Sequence, residues 1–156
     1  MQKKQKIYLR IVFGLYCLVL FWVLFGRSAF DIGKPYWEQV SMNINIVPFK
    51  TIHQYMALLI YQRNVLLVPN AFINLFGNIA AFVPLGFLVP CLWERLQSFK
   101  KVFLYSVIVI FLIELIQLFT LRGSCDIDDL ILNFFGTVLG FLFLRGFQFF
   151  YRRKKN

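Results

Sequence analysis

Four long apolar runs constrain this chain more than any other feature. A membrane-spanning helix needs about 20 mainly apolar residues. Such stretches occur at 11–25 (extended by Tyr8 and Leu9 past Arg10), 71–93, 102–121 and 130–151. The second run is apolar except for Asn74 and Asn78, and the third and fourth carry one charge each, Glu114 and, near the end, Arg145. The reading is an all-α integral membrane protein with four transmembrane helices. Composition excludes the main alternatives. With 60 % AVILMFWYC, 20 Phe in 156 residues and 15 % charged, the chain is too apolar for a soluble domain or for disorder.

Charge placement predicts orientation, because Lys and Arg concentrate in cytoplasmic loops. Lys3, Lys4, Lys6 and Arg10 precede the first span, Arg95, Lys100 and Lys101 follow the second, and Arg152, Arg153, Lys154 and Lys155 end the chain, with Glu94 the only acid among them. In the other two loops, Arg27, Lys34, Lys50, Arg63 and Arg122 are balanced by Asp31, Glu38, Asp126, Asp128 and Asp129. Both termini are therefore expected to be cytoplasmic. The net charge of +10 is a topology signal rather than a nucleic-acid footprint, since no basic soluble module carries it.

Lys3, Lys4 and Lys6 before an apolar core also suit a signal peptide, but Gly26-Arg27-Ser28-Ala29 is a poor cleavage site. A retained anchor is expected. The first outer loop, 26–70, contains an apolar stretch at 51–68 with Ile52, Tyr55, Met56, Leu59 and Ile60. It is too short to span, so an interfacial or re-entrant segment is expected. Three cysteines make no disulfide framework; Cys17 and Cys91 lie in apolar runs and Cys125 in a polar loop.

Polar groups inside a bilayer are costly, and each calls for a partner or a purpose. Asn70, Asn74 and Asn78 recur every four residues and read as one helix face. Pro84 and Gly86 are expected to interrupt the helix just beyond them. Glu114 and Gln117, three apart, share a face. Glu114 and Asn78 each lie roughly 12 Å from the outer boundary at 1.5 Å per residue. Asn133 follows Asp129 by one turn, and Gly136 and Gly140 continue that side as a G-x-x-x-G that admits a close neighbour. Above this level lies the acidic loop with Arg122, Asp126, Asp128 and Asp129. Arg122 is expected to neutralise part of it, and Asp128 or Asp129 to cap the fourth span.

The only histidine is His53 and no Cys/His cluster occurs, which argues against zinc. Ser124 lacks a nucleophile-elbow motif, and phosphate-binding glycine loops are absent. Glu114, Asp126, Asp128 and Asp129 are oxygen donors of the kind Mg²⁺ or Ca²⁺ takes, but the pattern demands no metal and no cofactor.

These residues resemble a known family. The run from Asn74 to Pro90, with Asn78, Pro84 and Gly86, is similar to the signature of the VanZ-like membrane proteins. So are Glu114-Leu-Ile-Gln117, then Arg122, then Asp126-Ile-Asp128-Asp129-Leu-Ile-Leu-Asn133 and Gly136. Upstream, the stretch from Asn45 to Ile52, with Pro48, Phe49 and Thr51, is similar to the family's shorter N-P-F element. The match covers about 43–145. It departs from the family at Cys125, where an aromatic is usual, and at Phe134, where a small hydroxyl residue is usual.

The resemblance implies a multi-pass protein of a bacterial, Gram-positive cell membrane. The founding member is linked to low-level resistance to teicoplanin, a glycopeptide with a lipid tail. Three readings follow. The first is a non-enzymatic protein that limits how lipid-tailed glycopeptides engage the outer leaflet or lipid-linked cell-wall precursors. The second is a membrane enzyme acting on a head group, with Glu114 as general acid or base. The third is a small transporter or flippase, which at four spans per chain would have to oligomerise. Membrane lipids are the expected surroundings in all three.

Overall fold

In lipid every backbone polar group must be satisfied within the protein, and continuous helices do this alone. The computed structural model describes residues 3–26, 31–61 and 67–153. Four of its helices are long and apolar enough to cross a membrane. These are α1 (Lys3–Phe25), the composite helix Val68–Leu92, α6 (Phe99–Phe119) and α7 (Ile127–Arg153). The shortest has 21 residues and reaches about 31 Å, against a hydrocarbon core of about 30 Å. Each helix starts before its apolar run, because backbone bonding continues into the flanking polar residues.

The composite helix is built from α4 (Val68–Phe72), a π turn (Ile73–Gly77) and α5 (Asn78–Leu92). Between the first two spans lie α2 (Tyr36–Met42), the short strand β1 (Ile44–Asn45) and α3 (Lys50–Tyr61). β1 pairs in parallel with β2 (Cys125–Asp126), Ile44 opposite Cys125 and Asn45 opposite Asp126. Residues 27–30, which hold most of the weak cleavage-like sequence, and 62–66, in the expected interfacial stretch, lie outside the described residues. Within that stretch α3 has no buried residue and leaves Met56, Ile60 and Tyr61 exposed.

The helix does not break at Pro84, contrary to the sequence expectation. α5 runs through both Pro84 and Pro90, and the irregularity lies upstream, in the π turn. Pro84 cannot serve the Ala80 carbonyl; one residue along, Tyr16 of α1 donates its hydroxyl to the Ala81 carbonyl at 2.9 Å and ties α1 to α5. Gly86 has another task. A Cβ on it would overlap the Thr137 carbonyl of α7.

Gly136 and Gly140 play the reciprocal part: a Cβ on either would overlap the carbonyls of Ile79 and Val83. The pairs ascend together along both helices, so α5 and α7 run parallel at close approach, as small-residue motifs permit. Phe82, Leu85, Val89 and Ile110 form the buried core, and Phe13, Tyr16, Leu20 and Leu24 pack α1 against it.

The bundle has two distinct ends. At one, Lys6 pairs with Glu94 at 2.8 Å, and Arg145 donates to the Gln97 carbonyl. The start of α1, the loop after α5 and the later part of α7 therefore meet there. The acidic loop lies at the other end.

A candidate ligand pocket beside an acidic clamp

α7 begins at the acidic loop, and its first turn does two jobs. Asp126 caps the helix, with Oδ1 accepting the Asp128 N–H at 2.8 Å. The cap expected of Asp128 or Asp129 therefore falls to Asp126. Asp128 is fully buried and turns toward α3. Its carboxylate accepts the N–H groups of Phe49 (2.5 Å), Thr51 (2.7 Å) and Ile52 (3.1 Å). These are among the orphan donors of a helix start. Phe49 enters that start in the left-handed region, at φ 63°. Thr51 Oγ1 donates to Asp126 Oδ2 at 2.6 Å, and Asn45 Nδ2 donates to Asp126 Oδ1 at 3.0 Å. Asp126 and Asp128 thus form a clamp tying the first loop to the fourth span.

The other polar residues gather deeper, around a cavity of about 460 Å³ lined by Asn74, Asn78, Glu114, Gln117, Arg122, Asp129 and Asn133. α1 contributes a wall through Trp22 and Leu24, and the π turn contributes Ile73 and Gly77. π turns inside α-helices often occur at functional sites. Asn78 Nδ2 donates to Asp129 Oδ1 at 2.6 Å, joining α5 to α7. Asn133 Nδ2 donates to Glu114 Oε1 at 3.3 Å, a long bond joining α7 to α6.

Three of the lining residues bond to backbone carbonyls. Asn74 donates to the Asn70 carbonyl at 2.8 Å, so the asparagine stripe splits at the π turn. Gln117 donates to the Leu24 carbonyl at 2.9 Å and fixes the end of α1. Arg122 does not neutralise the acidic loop: its guanidinium reaches the Phe25 carbonyl at 3.5 Å, and among the described residues the ion pair formed is that of Lys6 with Glu94.

Two polar atoms stand out. Glu114 Oε2 and Asn133 Oδ1 are buried without a hydrogen-bond partner, and both residues are 2 % exposed. An unsatisfied buried acceptor costs about 1–3 kcal/mol, more when charged. At a cavity wall, such acceptors are open to a donor from outside the chain.

Outside the spans, the acidic groups act on two neighbours. Burial, then the Asp129 and Asp126 carboxylates, push the Tyr55 phenol up. Burial, then Glu114 and Asp126, push the Cys125 thiol up. The Tyr55 contribution was not singled out from the sequence, nor was the part Asn45 and Thr51 play in the clamp, although both belong to the N-P-F stretch. Among the described residues no group of three or more His, Cys, Asp or Glu side chains is placed to hold a metal ion. The arrangement instead offers acceptors to a ligand bearing N–H or O–H groups.

No curated protein and no solved structure matches the chain. The family model described as VanZ/LLP1 matches residues 13–150, from the middle of α1 nearly to the end of α7. The second and third spans, most of the fourth, the later half of the first, the G-x-x-x-G contact and the polar pocket fall inside that range, and the chain belongs to the VanZ/LLP1 family.

Proposed function

We propose that this membrane protein uses its pocket to engage the polar head of an amphiphile at the outer face of a Gram-positive cell membrane. By doing so it lowers susceptibility to lipid-tailed glycopeptides of the teicoplanin type. The observation that carries the reading is the pocket itself: a polar cavity walled by apolar helices, with two buried acceptors unpartnered. Amphiphiles present that combination of polar head and apolar tail. Membership of the VanZ/LLP1 family supports the link to glycopeptides.

The orientation rests on charge. Lys6, Glu94 and Arg145 lie at the end away from the acidic loop, and this is the end that holds the excess of Lys and Arg. In a cysteine-free background, Ser41→Cys should be labelled by an impermeant maleimide in intact cells and Ser98→Cys only after permeabilisation. The reverse pattern overturns the orientation.

Growth inhibition by teicoplanin and by vancomycin tests the function in a susceptible Gram-positive host. The strains express nothing, the chain, or Asp129→Ala at equal membrane abundance. Protection is expected against teicoplanin alone, and is lost in the variant. Equal protection against both drugs, or against neither, overturns the reading.

A further inference from the structure

The inner part of the pocket is rich in acceptors. Glu114 Oε2 and Asn133 Oδ1 are acceptors without partners, and both side chains line the cavity. Asp129 lines it too, one turn before Asn133 on α7, with Oδ1 engaged by Asn78. Gln117 and Asn74 each direct one amide N–H away from these acceptors, to the carbonyls of Leu24 and Asn70.

A primary ammonium is the complement of this set. It carries three N–H donors and one positive charge, to be set against two carboxylates and an amide oxygen. A divalent metal suits the cavity less well. Such ions take six or more oxygens, and no cluster of metal-ligating side chains forms among the described residues. At the rim the polarity reverses. Arg122 is exposed, has one long bond to the Phe25 carbonyl, and forms no ion pair among the described residues. A guanidinium in that position suits a phosphate.

We propose that the pocket binds a phosphorylated primary amine of the phosphoethanolamine type, its ammonium toward Glu114 and Asn133 and its phosphate toward Arg122. The proposal rests on the reading of the cavity as a head-group site and names the head group. The same chemistry is offered by a lipid head group and by a soluble phosphoamine.

The test uses the purified full chain in detergent, titrated with phosphatidylethanolamine, phosphatidylcholine and phosphatidylglycerol of identical acyl chains. Binding is read by native mass spectrometry. Phosphatidylcholine keeps the positive charge but has no N–H donor, and phosphatidylglycerol has no cation. Phosphatidylethanolamine should bind at least about tenfold tighter than either, the scale of a lost charge-assisted hydrogen bond. The preference should collapse in Glu114→Gln. Should that variant fail to fold, Asp129→Asn serves for the same comparison, and the wild-type contrast stands without any variant.

Competition by free phosphoethanolamine identifies a soluble source. Lipid preference without such competition identifies a lipid source. Either supports the proposal. Equal binding of the ethanolamine and choline lipids overturns it, as does a preference that Glu114→Gln leaves intact, because a water-filled pocket would not discriminate. Ethanolamine preference without teicoplanin protection overturns the resistance reading alone. Protection without ethanolamine preference overturns this inference alone.

Discussion

The carboxylate of Asp128 accepts the backbone N–H of Thr51 at 2.7 Å, so α3 is capped by a residue 77 positions further along the chain. A helix start normally takes its cap from an adjacent Ser, Thr, Asn or Asp. Here that position holds Phe49, whose side chain has no acceptor, and Asp128 fills the role from α7. Folding of the first loop is thereby tied to arrival of the fourth span.

Asp128→Ala should therefore cost more than removal of an ordinary cap, about 2–3 kcal/mol, because three bonds to one buried carboxylate vanish together. The measurement is the midpoint of thermal unfolding in detergent, together with folded yield. Asp128→Asn should retain part of the loss, since one amide oxygen still accepts. A midpoint unchanged in Asp128→Ala would show that the clamp contributes nothing.

The parallel contact of α5 and α7 gives an internally controlled prediction. Gly136→Ala or Gly140→Ala puts a methyl into the carbonyls of Ile79 or Val83, and helices must move apart to admit it. Folded yield should fall sharply for both. Gly146→Ala, on the same helix with nothing within 4 Å of its would-be Cβ, should be neutral or stabilising by up to about 1 kcal/mol.

Glu114→Leu separates function from architecture. It removes an unpartnered buried oxygen and also the acceptor of Asn133 Nδ2. These two effects oppose each other, so stability should change by no more than about 1 kcal/mol. Teicoplanin protection should disappear at equal membrane abundance. Protection that merely scales with a reduced amount of folded protein would make the residue structural.

Cys125 reports on the electrostatics of the acidic loop. Burial, Glu114 and Asp126 all favour its neutral thiol, so the folded chain holds that proton to higher pH than the unfolded one. Stability from this group is present below the unfolded thiol range and is lost as pH rises through the folded value. In Cys17→Ser/Cys91→Ser, iodoacetamide should react more slowly at pH 8 than with a free thiol, and the rate should keep rising at higher pH. Glu114→Gln should accelerate the reaction at pH 8, while the burial contribution remains.

The sequence made the membrane architecture readable because uncharged runs of that length have few other solutions. Asn78, Glu114, Asp129 and Asn133 were legible for the same reason: polar groups in apolar surroundings draw attention, and they do line one cavity. Gly136 and Gly140 read correctly as a contact face. Partner choice was not legible. Asp126 and Asp128 serve different helices, and Thr51 and Asn45 join them, through tertiary placement that no local pattern encodes. Pro84 was over-read, since α5 continues through it and the loss is confined to one backbone bond. Arg122 was assigned to nearby acids by charge alone, whereas the backbone at the end of α1 lies within its reach.

The π turn carries a consequence for how the chain can vary. Such a turn is the trace of one extra residue absorbed into an α-helix, with normal winding kept on either side. Deleting a single residue from Ile73–Gly77 would remove the bulge and leave a regular α-helix whose flanking segments keep their phase. The change would be local to the wide turn, which brings Ile73, Asn74 and Gly77 to the pocket wall. The π turn therefore shapes the pocket wall while α4 and α5 keep their places beside it, so gain or loss of one residue here would reshape the cavity and spare the bundle.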